Sequence, residues 1–165
     1  MDFSVGDPVV HWTFGFGKIV GVEERFLSDQ KELFYLVRVR DLTISVPIDS
    51  RTPSRLRSPK SSLDFVKLFA ILRGSGEALL ENRLERKSQL RKRLADGTAE
   101  TICQVIRDLS DLARNKPLND DDKNILYRAK NLLCAEWVYS LSVPLVQAES
   151  DLQQLLMNSM VNPAS

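Results

Sequence analysis

The chain offers few side chains that could carry out catalysis. Its 165 residues include a single histidine, His11, so a Ser/His/Asp or Cys/His arrangement could be built only around that residue. No G-x-S-x-G nucleophile elbow accompanies it. The segment 15–18 resembles a phosphate loop only superficially, because the Walker A pattern needs glycine where Trp12 stands and Ser or Thr where Ile19 follows the lysine. We therefore expect a protein that is not an enzyme.

The residues that could bind a metal are equally sparse. Cys103 and Cys134 lie far apart in sequence, each among apolar residues with helical spacing. In a reducing cytosol, buried thiols are a better explanation for such residues than a disulfide. With only one histidine they make no convincing metal site, and His11 is better explained as structural. The run Asp120–Asp122 could attract a cation, but the first turn of a helix explains it more simply. We expect neither a metal nor a cofactor.

Charge is distributed unevenly along the chain. The overall formal charge of +1 divides into −3 for residues 1–50, +8 for residues 51–93 and −4 for residues 94–165. A basic segment between two acidic ones favours contact with a polyanion, the alternative being an ordinary solvated helix face. No apolar run approaches the roughly 18 residues that a membrane span needs, and we expect no signal peptide at the N-terminus. We expect a cytoplasmic protein with no membrane partner.

The basic segment is densest between Arg83 and Arg93, where six residues are basic and only Glu85 is acidic. At about 100° per residue, three arginines fall on one arc around Leu90, namely Arg83, Arg86 and Arg93. The leucines in and beside the segment form no clean stripe opposite this arc, namely Leu80, Leu84 and Leu94. The pattern therefore favours phosphate contact over core packing.

The elements that position these residues begin with extended runs. Gly15 and Gly17 lie between the first two runs, where they allow a turn at positive φ or a close backbone approach. Pro47 ends the last run, so that strand stops there or lies at a sheet edge. Five short strands in about 45 residues predict a small SH3-like or Tudor-like β-barrel. The extended runs include residues 9–13, 19–22, 34–39 and 43–47, with a polar turn over 27–33.

A connector and a set of helices follow. Residues 51–60 hold four basic residues, two prolines and no acid, and they predict a boundary between a barrel domain (1–58) and a helical domain (59–160). Capping residues and glycines divide the second domain into helices. The helices are expected from Ser61 or Ser62 to Arg73, over 77–95, from Thr98 to Pro117, from Asn119 or Asp120, and from about Pro144 to about Met157. The predicted fold class is α+β, an N-terminal SH3/Tudor-like small β-barrel followed by an all-α helical bundle.

Three stretches of the chain together resemble one family. The pattern VGDxVVxxxxGxGxI (Val5–Ile19) resembles the RNA polymerase-interacting domain of the CarD/CdnL family, a module shared with the transcription-repair coupling factors. The segments Leu94–Leu109 and Leu118–Ala129 resemble the family's helical domain. The resemblance implies a bacterial transcription regulator whose barrel binds the RNA polymerase β subunit. It further implies a helical domain that contacts promoter DNA at the upstream edge of the bubble and modulates open-complex stability. We expect a monomer.

The resemblance also implies two sets of contact residues. Arg25 matches a polymerase-contacting arginine, whereas Ser45 stands where some relatives carry another arginine. The tryptophan that commonly wedges into the minor groove in this family is replaced by Arg83, with Leu84 beside it. The expected polymerase contacts are Arg25, Leu27, Ser45, Val46 and Pro47. The expected DNA contacts are Arg83, Leu84, Arg86, Lys87 and Lys123.

Two other functions remain open at this point. The missing tryptophan leaves room for a polymerase-tethered protein-interaction module without DNA wedging. A nucleic-acid-binding Tudor-like protein independent of polymerase would explain the charge distribution but not the N-terminal pattern. Co-purification with polymerase would separate this last function from the first two.

Overall fold

The computed structural model describes residues 2–49 and 55–161 and divides the chain into two compact units, Met1–Pro59 and Lys60–Ser165. Each unit has its own core. The first contains the strands and the second the helices, so the fold class is α+β. No helix in the described ranges has the length and apolar character needed to cross a membrane.

The first unit is a five-stranded antiparallel sheet. Its strands are β1 (Pro8–His11), β2 (Gly15–Leu27), β3 (Gln30–Val39), β4 (Leu42–Pro47) and β5 (Leu56–Arg57). They are ordered β4-β3-β2-β1-β5 across the sheet. Its buried face is made by alternate residues of each strand, as period-two patterning requires. The core of this unit is Val9, Ile19, Tyr35, Val37, Val39, Val46 and Leu56.

The sheet is not closed into the small barrel that the sequence predicts. Among the described residues β4 pairs only with β3, and β5 pairs only with β1, so these strands are its two edges. Closure needs strands long enough to pair across the gap, and β5 is only two residues long. This strand lies within the predicted connector 51–60, of which residues 51–54 fall outside the described part of the chain.

The two glycines of the first hairpin act as predicted. Gly15 has a φ of +90° at the start of β2. A Cβ on Gly17 would collide with the backbone carbonyl oxygen of Arg38 on β3. The next turn is tighter than the predicted 27–33, because Ser28 and Asp29 alone join β2 to β3, with φ of 52° and 66°. Two residues of positive φ match the twist of the flanking strands.

The second unit is a bundle of five helices. They are α1 (Ser62–Arg73), α2 (Arg83–Leu94), α3 (Ala99–Asn115), α4 (Asp120–Leu141) and α5 (Leu145–Val161). The predicted N-caps are confirmed, because side chains of Ser61, Thr98 and Asn119 accept hydrogen bonds from the first turns of α1, α3 and α4. In the core, Trp137 of α4 packs against Phe69 and Phe65 of α1, with ring centroids 4.8 and 5.8 Å away.

Two helix predictions need correction. Residues 77–82 are not helical, so α2 is shorter than the predicted 77–95. Its start is fixed by Asn82, whose side chain accepts hydrogen bonds from the backbone of Leu84 and Glu85. The carbonyl groups of Leu80 and Glu81 accept hydrogen bonds from the side chain of Arg86, and these two residues therefore stay outside the helix. At the other end of the chain α5 continues past the predicted end at Met157.

Candidate functional site

The first candidate surface lies on β2, β3 and β4 and is centred on Arg25. Its Nη2 donates a hydrogen bond of 2.7 Å to the hydroxyl oxygen of Ser45 on β4. The same nitrogen and Nε donate to Oε2 of Glu23, at 2.8 and 3.2 Å. The guanidinium carbon lies 4.6 Å from the ring centroid of Phe34 on β3, within the range of a cation–π contact. We call these residues, with Leu27 and Pro47, the Arg25 face.

Strand alternation explains why these residues share one side of the sheet. Glu23 pairs with Phe34, and Phe34 pairs in turn with Pro47. Side chains two residues apart on a strand point the same way, which brings Arg25 and Leu27 to the face of Glu23, and Ser45 to that of Pro47. Val46 points to the opposite face of the sheet. The structure thus brings together four of the five expected polymerase contacts.

Val46 is the exception among those five residues. Its side chain is 4% exposed and belongs to the core of the first unit. It pairs with Tyr35 across the β3–β4 ladder, so its side chain faces the core. We therefore assign Val46 to packing and leave it out of the surface that could meet a partner.

Arg25 is fixed in place yet still able to bind. Its side chain and that of Glu23 are each 42% exposed. Glu23 and Ser45 engage Nε and Nη2, and Nη1 has no hydrogen-bond partner among the described residues. Guanidinium N–H groups pair best with carboxylates. The Arg25 face can therefore accept an acidic group on a partner without first ordering the arginine.

The second candidate surface is α2, and its central arginine is buried. Arg86 donates from Nε and Nη2 to the two carboxylate oxygens of Asp122 on α4, at 3.0 and 2.8 Å. Its Nη1 donates to the carbonyl oxygens of Leu80 and Glu81, at 3.0 and 3.1 Å. The side chains of Arg86 and Asp122 are only 5% and 2% exposed. Pairing with Asp122 raises the pKa of Arg86.

This geometry assigns Arg86 to the packing of the bundle. A guanidinium with a bidentate carboxylate and two carbonyl partners has almost no capacity left for a DNA phosphate. Sequence spacing indicated that Arg86 shares an arc with Arg83 and Arg93. All three contact aspartates of α3 or α4, and Arg83 stays largely exposed. Arg93 contacts the buried carboxylate of Asp108 on α3 at 3.0 Å.

The flank of α2 beside Arg86 carries the two remaining basic residues of the first turns. Arg83 Nη2 lies 3.4 Å from Oδ2 of Asp121, and Lys87 Nζ lies 3.2 Å from Oδ1 of the same residue. The Arg83 side chain is 60% exposed, and that of Lys87 is 30% exposed. The hydrogen bond from Lys87, aided by the charge of Arg83, holds the pKa of Asp121 below its usual range.

The outward face of α2 carries an exposed leucine. Leu84 is 73% exposed and lies on the side of α2 away from the buried Leu90. Ser88 follows it one turn later, and Arg91 and Lys92 are exposed further along the helix. Lys123 is exposed on α4, one turn after its N-cap, and no described side-chain contact joins it to Arg83 or Lys87. On α2 the exposed Leu84 thus lies apart from Arg83 and Lys87, which pair with Asp121 on the flank of the helix.

Sequence reasoning missed the three aspartates that hold the basic helix. Asp108, Asp121 and Asp122 pair with Arg93, with Arg83 and Lys87, and with Arg86, respectively. The sequence offered two signals, the opposite net charge of residues 51–93 and 94–165 and the run Asp120–Asp122, which the first turn of a helix also explains. In the described part of the chain, no group of three His, Cys, Asp or Glu residues could hold a metal ion.

Comparisons with known proteins cover both units. Residues 3–57 match the family model described as the CarD-like/TRCF RID domain. Residues 67–153 match the model described as CarD, C-terminal domain. The chain is also similar to a protein of Bacillus subtilis (strain 168) named "Putative transcription factor YdeB", with 26% identity over 137 residues, which is 81% of this chain and 89% of the relative.

Proposed function

Because this chain belongs to the CarD family, and so has a transcription-related role that involves RNA polymerase, we propose that it binds the polymerase β subunit and contacts promoter DNA. The N-terminal sheet would supply the polymerase contact. The outward face of α2 would supply the DNA contact, at the upstream edge of the melted bubble, where it would modulate the stability of the open complex.

The Arg25 face supports the polymerase contact. It presents a guanidinium already held by Glu23 and Ser45, so little side-chain entropy is lost when a partner carboxylate binds. It lies beside β4, an edge strand, and an edge strand offers backbone groups to an incoming segment. Arg25, Leu27, Ser45 and Pro47 are the residues we propose for this contact.

Charge reversal at Arg25 tests the polymerase contact. Arg25→Glu places a carboxylate beside Glu23 and should abolish capture of the β subunit by the full chain, because an acidic partner is then repelled. Arg40→Glu is the matched control, since Arg40 is exposed in the turn between β3 and β4. If both variants capture the β subunit as well as the wild type does, the Arg25 face is not the binding surface.

The outward face of α2 supports the DNA contact. Arg91 and Lys92 are exposed there and can contact phosphates, and Arg83, Lys87 and Lys123 add charge nearby. Arg86 is left out because it is buried against Asp122. Leu84 is exposed on this face, where a small apolar side chain can wedge between base steps of the minor groove. The single observation that carries this proposal is the exposed Leu84 on an otherwise basic helix.

Open-complex lifetime on one promoter tests the wedge. Leu84→Trp should lengthen the lifetime, and Leu84→Ala should shorten it, because the apolar area placed against unstacked bases changes in opposite directions. Ser88→Trp, on the same face one turn away, is the control and should change the lifetime less. Equal effects of Leu84→Trp and Ser88→Trp would rule out position 84, and lengthening by Arg83→Trp alone would move the wedge to position 83.

A polymerase-tethered protein-interaction module is the second candidate function. It is favoured by the burial of Arg86 and by the pairing of Arg83 and Lys87 with Asp121, which reduce the charge available to DNA. In that case Leu84→Trp and Leu84→Ala leave the open-complex lifetime unchanged, while Arg25→Glu still abolishes capture of the β subunit.

A further inference from the structure

Asp121 pairs with two cations, Arg83 and Lys87, on the flank of α2 beside the proposed DNA surface. One carboxylate oxygen faces Arg83 at 3.4 Å and the other faces Lys87 at 3.2 Å. A bridging carboxylate of this kind presents two oxygens to two cations, as a backbone phosphate does when it is held by two basic side chains. Arg83 and Lys87 are therefore already partnered before any nucleic acid arrives.

The neighbouring pair shows how an aspartate is held when the contact is permanent. Arg86 and Asp122 are bidentate at 2.8 and 3.0 Å, and both side chains are almost completely buried. The contacts of Asp121 are longer, its side chain is 26% exposed, and that of Arg83 is 60% exposed. Exposed ion pairs are weak and screened by salt. The first turn of α4 thus contributes one fixed and one exchangeable contact to α2.

We propose that Asp121 acts as an intramolecular substitute for a DNA phosphate, which occupies Arg83 and Lys87 in the free protein and is displaced when duplex DNA binds. This inference rests on the proposed DNA contact and adds a residue that sets its strength. Arg86 and Asp122 keep α2 in place during the exchange, so the two cations are released without movement of the helix. Displacement of Asp121 opposes binding, and only phosphates that reach both cations at once compensate for it.

The test compares two single substitutions that each remove one negative charge. Asp121→Asn removes the substitute carboxylate. Asp120→Asn removes one negative charge from the same helix turn, where Asp120 is exposed and forms no ion pair with a described residue. Affinity for a fluorescent DNA duplex is measured with the full chain at about 50 mM salt and at physiological salt. Asp121→Asn should bind about fivefold more tightly than Asp120→Asn at low salt, with a smaller difference at higher salt.

A second set of variants tests whether Asp121→Asn acts through Arg83 and Lys87. In a chain that also carries Arg83→Gln and Lys87→Gln, Asp121→Asn should no longer improve affinity beyond Asp120→Asn, because the cations it releases are gone. Equal affinities of the two single variants would overturn the inference while leaving the DNA contact intact. Absence of duplex binding by the wild type and every variant at low salt would overturn the DNA contact itself, and this inference with it.

Discussion

The guanidinium of Arg25 is hydrogen-bonded to the hydroxyl of Ser45, 20 positions further along the chain, at 2.7 Å. The two residues lie on β2 and β4, with Phe34 of β3 beneath the guanidinium. Ser45 therefore positions a cation that Glu23 alone would hold from one side. At position 45 the family resemblance implied that some relatives carry a second arginine. In this chain Ser45 instead holds Arg25 in place.

Removal of the Ser45 hydroxyl should weaken polymerase binding without abolishing it. Ser45→Ala deletes one solvent-exposed hydrogen bond that positions Arg25, which corresponds to a loss of about twofold to tenfold in affinity for the β subunit. Thr43→Ala is the control, because Thr43 is exposed on the same strand and makes no described contact with Arg25. Titration of both variants against the β subunit checks the prediction, and equal affinities would contradict it.

Arg86 should contribute more to stability than any other basic residue of α2. Arg86→Leu leaves Asp122 buried without its partner and should lower the free energy of unfolding by about 3–5 kcal/mol. Arg91→Leu on the exposed face should change it by less than about 0.5 kcal/mol. Urea denaturation followed by circular dichroism of the helices measures both effects.

The double variant separates pairing from packing. Replacing Asp122 as well, in Arg86→Leu/Asp122→Leu, removes the uncompensated charge and should recover part of the lost stability. If the double variant is as unstable as the sum of its single changes, the two residues do not act as a pair and this account of the α2–α4 contact is wrong.

Burial of His11 should make the first unit sensitive to mild acid. Its Nδ1 accepts hydrogen bonds from the backbone of Thr13 and Phe14 at 3.0 and 3.2 Å, which requires that nitrogen to be unprotonated. Burial, and then the charge of Arg55, lowers the pKa of His11 below 6.5. The unfolded chain therefore binds the proton more readily, and the free energy of unfolding should fall as pH falls below about 6.5.

An uncharged replacement provides the control for His11. Asparagine offers a side-chain oxygen as acceptor and does not titrate in this range. His11→Asn should therefore lose less stability than the wild type between about pH 8 and about pH 5. Denaturation curves at the two pH values measure the difference, and parallel losses in both proteins would assign the acid sensitivity to other groups.

Both cysteines should react slowly with thiol reagents in the native state. Cys103 and Cys134 form no disulfide and are buried in the core of the helical unit. Burial raises the pKa of the Cys134 thiol to about 11, so very little reactive thiolate exists near neutral pH. Absorbance during labelling with an aromatic disulfide should show two thiols that react quickly only after denaturant is added. Immediate labelling without denaturant would disprove this packing.

The features that the sequence predicted are those determined locally. Gly15, Thr98 and Asn119 act through their own backbone conformation or the next turn, so residue type and spacing were sufficient to assign them. Leu56 and Arg57 form a strand only because β1, more than 40 positions earlier, pairs with them. A two-residue strand leaves no pattern of its own. The open sheet and the strand inside the connector were therefore beyond prediction.

The same distinction explains the candidate sites. Helical spacing correctly placed Arg83, Arg86 and Arg93 on one arc, but spacing cannot reveal what lies opposite an arc. Phosphate contact was the natural interpretation of six basic residues in one helix. The aspartates that cover this arc come from α3 and α4, and only the folded bundle brings them to it. Val46 was expected among the polymerase contacts. Strand alternation turns its side chain to the core, on the opposite face from the side chains of Ser45 and Pro47.

Pro47 limits how far the open edge of the sheet can be extended. The amide of Ile48 donates to the carbonyl of Leu33, so alternation turns the backbone groups of Thr43, Ser45 and Pro47 away from β3. Proline has no N–H to offer there. An added strand can pair with both the N–H and the C=O groups of Thr43 and Ser45. At Pro47 it finds only a carbonyl oxygen, which accepts a hydrogen bond but cannot donate one. The edge strand β4 can therefore pair with a short added segment, but Pro47 disfavours the long strand pairing by which exposed sheet edges aggregate.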